Sequence, residues 1–213
     1  MGLKIIYGTA GTGKSTYIFN EIAKKIESKE CNKIYIITPE QFSFTAEEKL
    51  IKEMKNNAVI QAEVLTFNRM AYRVINETGG NRNVNLSECG RAMIVYNILD
   101  NKKNKLNFIG KNEQNVDTVL TQITEFKKHN ILPETIKDNL DNINDQYLNL
   151  KLSDMYNIYY AYQTIIKDNY IDENDILTIL ANKIEDSKEF KDTEIYIDEF
   201  VGFTPQEYKI IEK

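Results

Sequence analysis

The sequence predicts an α/β fold in which a parallel β-sheet with crossover helices is interrupted by an all-helical lobe. Short apolar runs alternate with helical patterns over about the first 85 residues, an order typical of parallel sheets. Residues 86–186 then carry helical patterns and almost no strand signal. A last apolar run at Glu194–Ile197 should return to the sheet. We therefore expect an α/β domain from residues 1–85 and 187–213, incomplete at its C-terminus, with residues 86–186 as an inserted helical subdomain.

The first strand and the first helix are expected on either side of a glycine-rich segment. Leu3–Tyr7 is a short apolar run bounded by Gly8, which predicts a buried strand. A helix should follow from about Lys14 to Ser28, because three isoleucines recur at a spacing of four: Ile18, Ile22 and Ile26.

Two further strands and two helices complete the N-terminal half. Residues 33–38 predict a second strand that Pro39 stops. Thr45–Glu48 has the pattern of a capping box, which predicts a helix from there to about Lys55. Residues 63–67 predict a third strand. A helical stripe follows it, formed by Phe67, Met70, Ala71 and Val74.

The lobe should consist of helices near residues 86–100, 115–129, 133–143, 147–169 and 174–185. Pro133 suits the first turn of its helix. The helix at 147–169 carries a stripe expected to face the core, formed by Met155, Tyr159, Tyr162 and Ile166. After Glu194–Ile197, Thr204–Glu207 opens a last helix with proline at its first position.

Composition narrows the classes of function. The chain has 213 residues, 42% of them hydrophobic, and a net charge of −5, which argues against a broad nucleic-acid-binding surface. No apolar run approaches the ~20 residues that span a bilayer, and the N-terminus lacks a signal peptide pattern, so we expect a cytoplasmic protein. Cys31 and Cys89 are far apart and His129 is the only histidine, which makes structural zinc and histidine-based catalysis poor candidates.

Gly8–Ser15 matches the phosphate-binding pattern G-x-x-x-x-G-K-[ST], with a strand expected before it and a helix after it. Glycines let backbone N–H groups curl around a phosphate, and the helix start favours the same negative charge. Lys14 should reach the β- and γ-phosphates of ATP, and the Ser15 hydroxyl should bind Mg²⁺. The alternative is a chance glycine-rich turn. The predicted nucleotide-binding residues are Gly8, Thr9, Ala10, Gly11, Thr12, Gly13, Lys14, Ser15 and Thr16.

A second acidic element ends the apolar run at residues 195–197. Asp198 is expected to support Mg²⁺ opposite the glycine-rich loop, and Glu199 to orient or deprotonate the attacking water as a catalytic group. The alternative is a strand end followed by a solvated acidic turn. The predicted fold is therefore that of a P-loop NTPase.

Three segments resemble superfamily-1 helicases of the UvrD type. Val64–Arg73 resembles the TFHxLAxR segment of that group, Tyr170–Leu177 resembles its DFxDLL segment, and Asp198–Phe200 matches the start of its DEFQD motif. The chain is more similar to the N-terminal part of the AddB family, one of the two components of AddAB helicase–nucleases. Residues that carry this resemblance are YGTAGTGKS at 7–15, TPEQ at 38–41 and IDEFVGFTPQE at 197–207.

The AddB resemblance implies a RecA-like fold, ATP and Mg²⁺ as ligands, an AddA-type motor-nuclease partner and a role in repair and recombination at broken DNA ends. Family members are several times longer, and their iron–sulfur cluster and nuclease belong to a C-terminal part that this sequence does not contain. We therefore expect an N-terminal fragment with a helicase-like, non-motor role. It should bind ATP with little or no turnover, because the arginine fingers of such motors come from a second RecA-like domain.

Two departures from the family pattern qualify these expectations. The glutamine motif that grips adenine has no counterpart before the loop, so base specificity stays open. Many relatives carry Asp-Gly where this chain has Asp198-Glu199. The alternatives are a non-enzymatic scaffold with a remnant nucleotide site, or an independent P-loop ATPase or kinase.

The UvrD-type resemblance also implies that the segment around Thr66–Arg73 lies near single-stranded DNA. Possible DNA contacts are Thr66, Arg69 and Arg73 in that segment, and Gln41 after the second strand. The alternatives are surface ion pairs for the arginines and packing against the sheet for the residues after the second strand.

Overall fold

The computed structural model describes residues 2–28, 33–53, 61–79, 83–102, 105–109, 115–167 and 169–213. The chain is an α/β protein, mostly helical, with small parallel sheets. The helices of the described residues are α1 Lys14–Ser28, α2 Ser43–Glu53, α3 Phe67–Glu77, α4 Glu88–Lys102, α5 Val116–Lys128, α6 Pro133–Asn139, α7 Gln146–Ile166, α8 Ile176–Lys183 and α9 Pro205–Ile211. The strands are β1 Ile34–Ile37, β2 Ala62–Leu65, β3 Val84–Leu86, β4 Tyr170–Asp172 and β5 Glu194–Ile197.

The chain divides into two compact units. The first comprises Met1–Gly79 and Lys183–Phe203, and the second comprises Gly80–Asn182 and Thr204–Lys213. Thr204–Lys213 thus group with the helical unit. The expected boundaries of an α/β domain and an inserted subdomain remain a prediction.

The first unit contains a parallel sheet with the strand order β2-β1-β5. Ile34 of β1 lies in register with Ala62 on one side and with Glu194 on the other. All four residues of β1 are buried, because a central parallel strand is covered on both faces. The core beside it combines α1, α2 and the strands and contains Ile18, Phe19, Ile22, Ile26, Ile34, Ile36, Ala46, Leu50, Ala62 and Val64.

The predicted strand at Leu3–Tyr7 is wrong. No strand is formed there, and Leu3, Ile5 and Tyr7 are 89%, 73% and 92% exposed. Only Ile6 packs partly against the core of this unit. An apolar run becomes a strand only when a neighbouring strand offers its backbone groups, and none of the described strands pairs with this one.

The predicted start of α2 is also wrong. The helix begins at Ser43, directly after a 3₁₀ turn at Glu40–Phe42. Thr45 therefore lies inside the helix and does not cap it, because the preceding turn already provides the helical entry. By contrast, Thr204 and Glu207 form a reciprocal capping box at α9, as predicted.

The second unit buries a helical core that includes the predicted stripe of α7. Met155, Tyr159, Tyr162 and Ile166 are all at most 3% exposed. They pack with α4, α5, α6 and the segment before residue 110, which contribute Val95, Ile98, Leu99, Leu106, Ile109, Val119, Ile123, Phe126 and Ile136. No sequence pattern indicated the short parallel pair β3–β4, in which Asn85 lies in register with Ile171.

Two buried carboxylates organise this helical unit. Asp154 of α7 is fully buried and accepts hydrogen bonds from three successive backbone N–H groups, those of Asn107, Phe108 and Ile109. Asp172 is also buried and accepts from the Lys127 ammonium at 2.8 Å and the Tyr162 hydroxyl at 2.8 Å. These bonds satisfy charges that would otherwise be costly to bury.

No helix in the described part of the chain is long and apolar enough to cross a membrane. Cys89 is an exposed free thiol, whereas Cys31 lies outside the described residues.

Candidate nucleotide-binding site

The glycine-rich loop, Gly8–Ser15, runs from the extended N-terminal segment into α1. Gly11 and Gly13 have φ angles of 79° and 85°, a left-handed conformation that side chains other than glycine rarely adopt. At Gly8 the constraint is space, because an added Cβ would lie 2.8 Å from Thr12 Oγ1. These three glycines therefore permit a tight turn immediately before the N-terminus of α1.

The loop is exposed and its lysine is folded back across it. Lys14 Nζ donates hydrogen bonds to the carbonyl oxygens of Gly8 and Thr9, at 3.0 and 2.9 Å. Thr12 Oγ1 also donates to the Thr9 carbonyl, at 2.8 Å. The ammonium thus lies over the mouth of the loop, held by carbonyl groups that an anionic ligand would replace. Ala10 lies in the exposed turn, while Lys14, Ser15 and Thr16 open α1.

The acidic pair after β5 faces this loop within the first unit. The backbone N–H of Asp198 donates to the Ile37 carbonyl at 3.1 Å, which extends the β1–β5 pairing and fixes where the carboxylates begin. A cleft of about 540 Å³ is lined by loop residues, Ser15, Asp198 and Glu199 among them. The structure therefore brings together the two elements that the sequence separates by the length of the chain.

Glu199 occupies a conformation that is unusual for its residue type. Its φ angle is 66°, in the left-handed region, which costs a residue with a Cβ about 1–2 kcal/mol relative to the right-handed region. Its carboxylate accepts a hydrogen bond from Ser15 Oγ at 3.4 Å and lies 3.6 Å from Lys49 Nζ. Glycine would adopt this backbone conformation without strain.

Sequence reasoning missed Lys49 and Thr38. Lys49 lies on α2, and Thr38 follows β1, the strand beside β5. Both line a small cavity together with Asp198 and Glu199. The Thr38 side chain is 1% exposed, and its hydroxyl has no hydrogen-bond partner among the described residues. The position of Thr38 at the end of a strand next to β5 is a signal that the sequence contained.

The predicted DNA-contact residues occupy defined positions in the first unit. Gln41 is exposed in the 3₁₀ turn after β1. Thr66 is buried and caps α3: its hydroxyl accepts from the Arg69 backbone N–H at 3.3 Å and donates to Glu40 Oε1 at 2.7 Å. Thr66 therefore has a structural role that is independent of any ligand.

Both arginines of that segment are engaged by acidic neighbours. Arg69 forms an ion pair with Glu47 at 2.9 Å. Arg73 contacts Glu63 and, at 3.3 Å, Glu189. These pairs match the alternative of ordinary surface ion pairing, and contact with DNA remains a prediction.

Comparison with known proteins places this geometry in a family context. A family model described as "ADDB, N-terminal" matches residues 5–213. Proteins named as the B-type component of an ATP-dependent helicase/deoxyribonuclease are similar over the whole chain. The one from Clostridium botulinum (strain Loch Maree / Type A3) is 44% identical over 216 residues. Those from Clostridium tetani and Thermoanaerobacter sp. (strain X514) are 45% and 38% identical over 220 and 216 residues. The chain spans 19% of the length of each of these relatives.

Proposed function

The chain belongs to the ADDB N-terminal family, and from this we propose that it is the ATP-binding N-terminal region of a helicase–nuclease component acting in DNA break repair and recombination. The relatives named above are components of an ATP-dependent helicase/deoxyribonuclease. By analogy, an AddA-type motor-nuclease is the proposed partner and DNA the proposed substrate of the assembly.

One observation carries the proposal that this region binds ATP. The glycine-rich loop, with its two left-handed glycines, faces Asp198 across a single cleft. This arrangement offers backbone N–H groups, a helix N-terminus and Lys14 to a triphosphate. We attribute it to a P-loop fold of the RecA-like type, in which Lys14 exchanges the Gly8 and Thr9 carbonyls for phosphate oxygens.

The same cleft fits Mg²⁺ by the chemistry of its donors. Ser15 Oγ and the Asp198 carboxylate are hard oxygen ligands, the type that Mg²⁺ prefers. Bound Mg²⁺ would neutralise charge on the phosphate oxygens of ATP. An iron–sulfur cluster is not part of the proposal for residues 1–213.

We further propose that this region turns ATP over slowly or not at all and serves a non-motor role. Glu199, the candidate group for orienting water, is bonded to Ser15 and paired with Lys49, so its carboxylate is already engaged. The arginine fingers of superfamily-1 motors are supplied by a second RecA-like domain, and such a group contributes on the order of 10³–10⁵ in rate. Gln41, Thr66, Arg69 and Arg73 remain the proposed DNA contacts.

Calorimetric titration of ATP·Mg²⁺ and GTP·Mg²⁺ tests the nucleotide site. We expect saturable ATP binding that weakens at least tenfold in Lys14→Ala, because the triphosphate loses its principal cation. Lys24→Ala is a matched control, since it removes an exposed ammonium from the same helix outside the loop. Absence of ATP binding by the folded wild-type chain would overturn the proposal and favour a scaffold with a remnant site.

A further inference from the structure

A cation supplied by the chain lies beside the acidic half of the proposed nucleotide site. Lys49 Nζ is 3.6 Å from Glu199 Oε1, and the same oxygen accepts from Ser15 Oγ at 3.4 Å. The ammonium is therefore within about 7 Å of the hydroxyl proposed to bind Mg²⁺, which is inside the Debye length at physiological salt. Lys49 was not among the residues that the sequence motifs indicated.

The surroundings of Lys49 favour a cation at this place. Its side chain and that of Glu199 border a cavity shared with Asp198 and with the buried Thr38 hydroxyl. Two carboxylates and a hydroxyl oxygen provide acceptors for an ammonium. The neighbouring lysine of α2, Lys52, instead pairs with Glu48 at 2.7 Å.

We propose that Lys49 is a positioning residue that partly substitutes for Mg²⁺ and so lowers the magnesium dependence of nucleotide binding. This inference rests on the proposed ATP-binding function. Without a cation, the carboxylates of Asp198 and Glu199 repel the triphosphate. The Lys49 ammonium offsets that repulsion and at the same time disfavours a second cation beside it. ATP should therefore bind with only a modest gain on addition of Mg²⁺.

The size of the effect follows from distance and exposure. Unit charges 4 Å apart interact by roughly 1 kcal/mol in water and more in a partly shielded cleft, which corresponds to about fivefold or more in affinity. The Lys49 and Glu199 side chains are 44% and 36% exposed, so solvent screening keeps the effect near the lower end. A change of roughly three- to tenfold is the expected range.

The test measures the ATP dissociation constant by calorimetry in excess EDTA and in saturating Mg²⁺, and takes the ratio of the two. Lys49→Met should raise this ratio at least threefold over wild type, chiefly by weakening binding in EDTA. Lys49→Arg should keep the wild-type ratio because it retains the positive charge. Lys52→Met is the control on the same helix and should leave the ratio unchanged.

A double variant shows whether Lys49 acts through Glu199. In Lys49→Met/Glu199→Gln the carboxylate that needs a counter-ion is gone, so the ratio should fall back towards the wild-type value. A ratio in Lys49→Met that stays within threefold of wild type, or a double variant that behaves like Lys49→Met, would overturn the inference while leaving ATP binding intact. Absence of ATP binding by the folded wild-type chain under both conditions would instead overturn the proposed function, and the inference with it.

Discussion

Replacement of Lys127 by methionine tests whether a buried ion network holds the helical unit together. Lys127 Nζ is bonded to Asp172 at 2.8 Å and to Asp175 at 2.6 Å, and the Lys127 and Asp172 side chains are 2% and 1% exposed. The Tyr162 hydroxyl donates to the same Asp172 oxygen as Lys127. Methionine keeps most of the volume of the lysine stem, so the substitution removes the charge with little loss of packing.

We expect Lys127→Met to destabilise the unit by about 3–5 kcal/mol at pH 7, because it leaves two carboxylates close together without their cation. Urea unfolding followed by far-ultraviolet circular dichroism measures this loss. Lys128→Met is the matched control: its side chain is 47% exposed and pairs with Glu125 one turn away. The control should stay within about 0.5 kcal/mol of wild type.

The pH dependence of the loss gives a second test. Burial would raise the pKa of Asp172, but the charge and hydrogen bond of Lys127 outweigh it and lower this pKa below its ordinary 3.8. Its contribution to wild-type stability is therefore present above pH 3.8 and is lost as the pH falls below that value. Burial raises the pKa of Asp175, which contributes in the opposite direction.

Without Lys127, burial and the second carboxylate should raise the pKa of Asp172 above 3.8. A carboxyl with a raised pKa favours the folded state at low pH and loses that contribution as the pH rises. The penalty of Lys127→Met should therefore shrink by at least half between pH 7 and pH 4. A loss below about 1 kcal/mol at pH 7, or a penalty independent of pH, would refute the reasoning.

Three further predictions concern single side chains. Asp154→Asn should lower the free energy of unfolding by about 1.5–3 kcal/mol, because three backbone N–H groups lose a charged acceptor, and thermal melting measures the loss. Thr66→Val should cost about 1–2 kcal/mol through loss of the α3 cap, with little change expected for Thr121→Val on exposed helix surface. The hydrogen bond from Lys33 lowers the pKa of Glu189, so wild-type stability should fall as the pH drops below 4.5. Glu189→Gln should flatten the melting temperature measured from pH 5 to 3, and an unchanged slope would contradict that role.

Much of the secondary structure follows from sequence periodicity. The isoleucine spacing predicted α1 from Lys14 to Ser28, and the apolar stripe of α7 lies in the core as expected. The three sheet strands β1, β2 and β5 also lie where apolar runs indicated them. These features depend on local patterns, which the sequence displays directly.

The remaining features depend on partners distant in the chain. Leu3–Tyr7 has the composition of a strand but lacks a pairing edge, which no local pattern reveals. Strands β3 and β4 are three residues long, too short for periodicity to identify. The engagement of Glu199 by Ser15 and Lys49 joins residues from three separate elements. The motif pattern selected Ser15 and Glu199, whereas only the folded structure adds Lys49.

The strand order β2-β1-β5 has a consequence for how the chain is assembled during synthesis. β1 pairs first with β2, which follows closely in the chain, but its other neighbour begins only at Glu194. At roughly 5–20 residues per second, a ribosome delivers β5 on the order of 10–30 s after β1. Throughout that interval one edge of an entirely apolar strand awaits its partner, and such edges promote aggregation. Asp198 and Glu199 arrive with β5, so the step that protects the nascent sheet is also the step that completes the proposed nucleotide site.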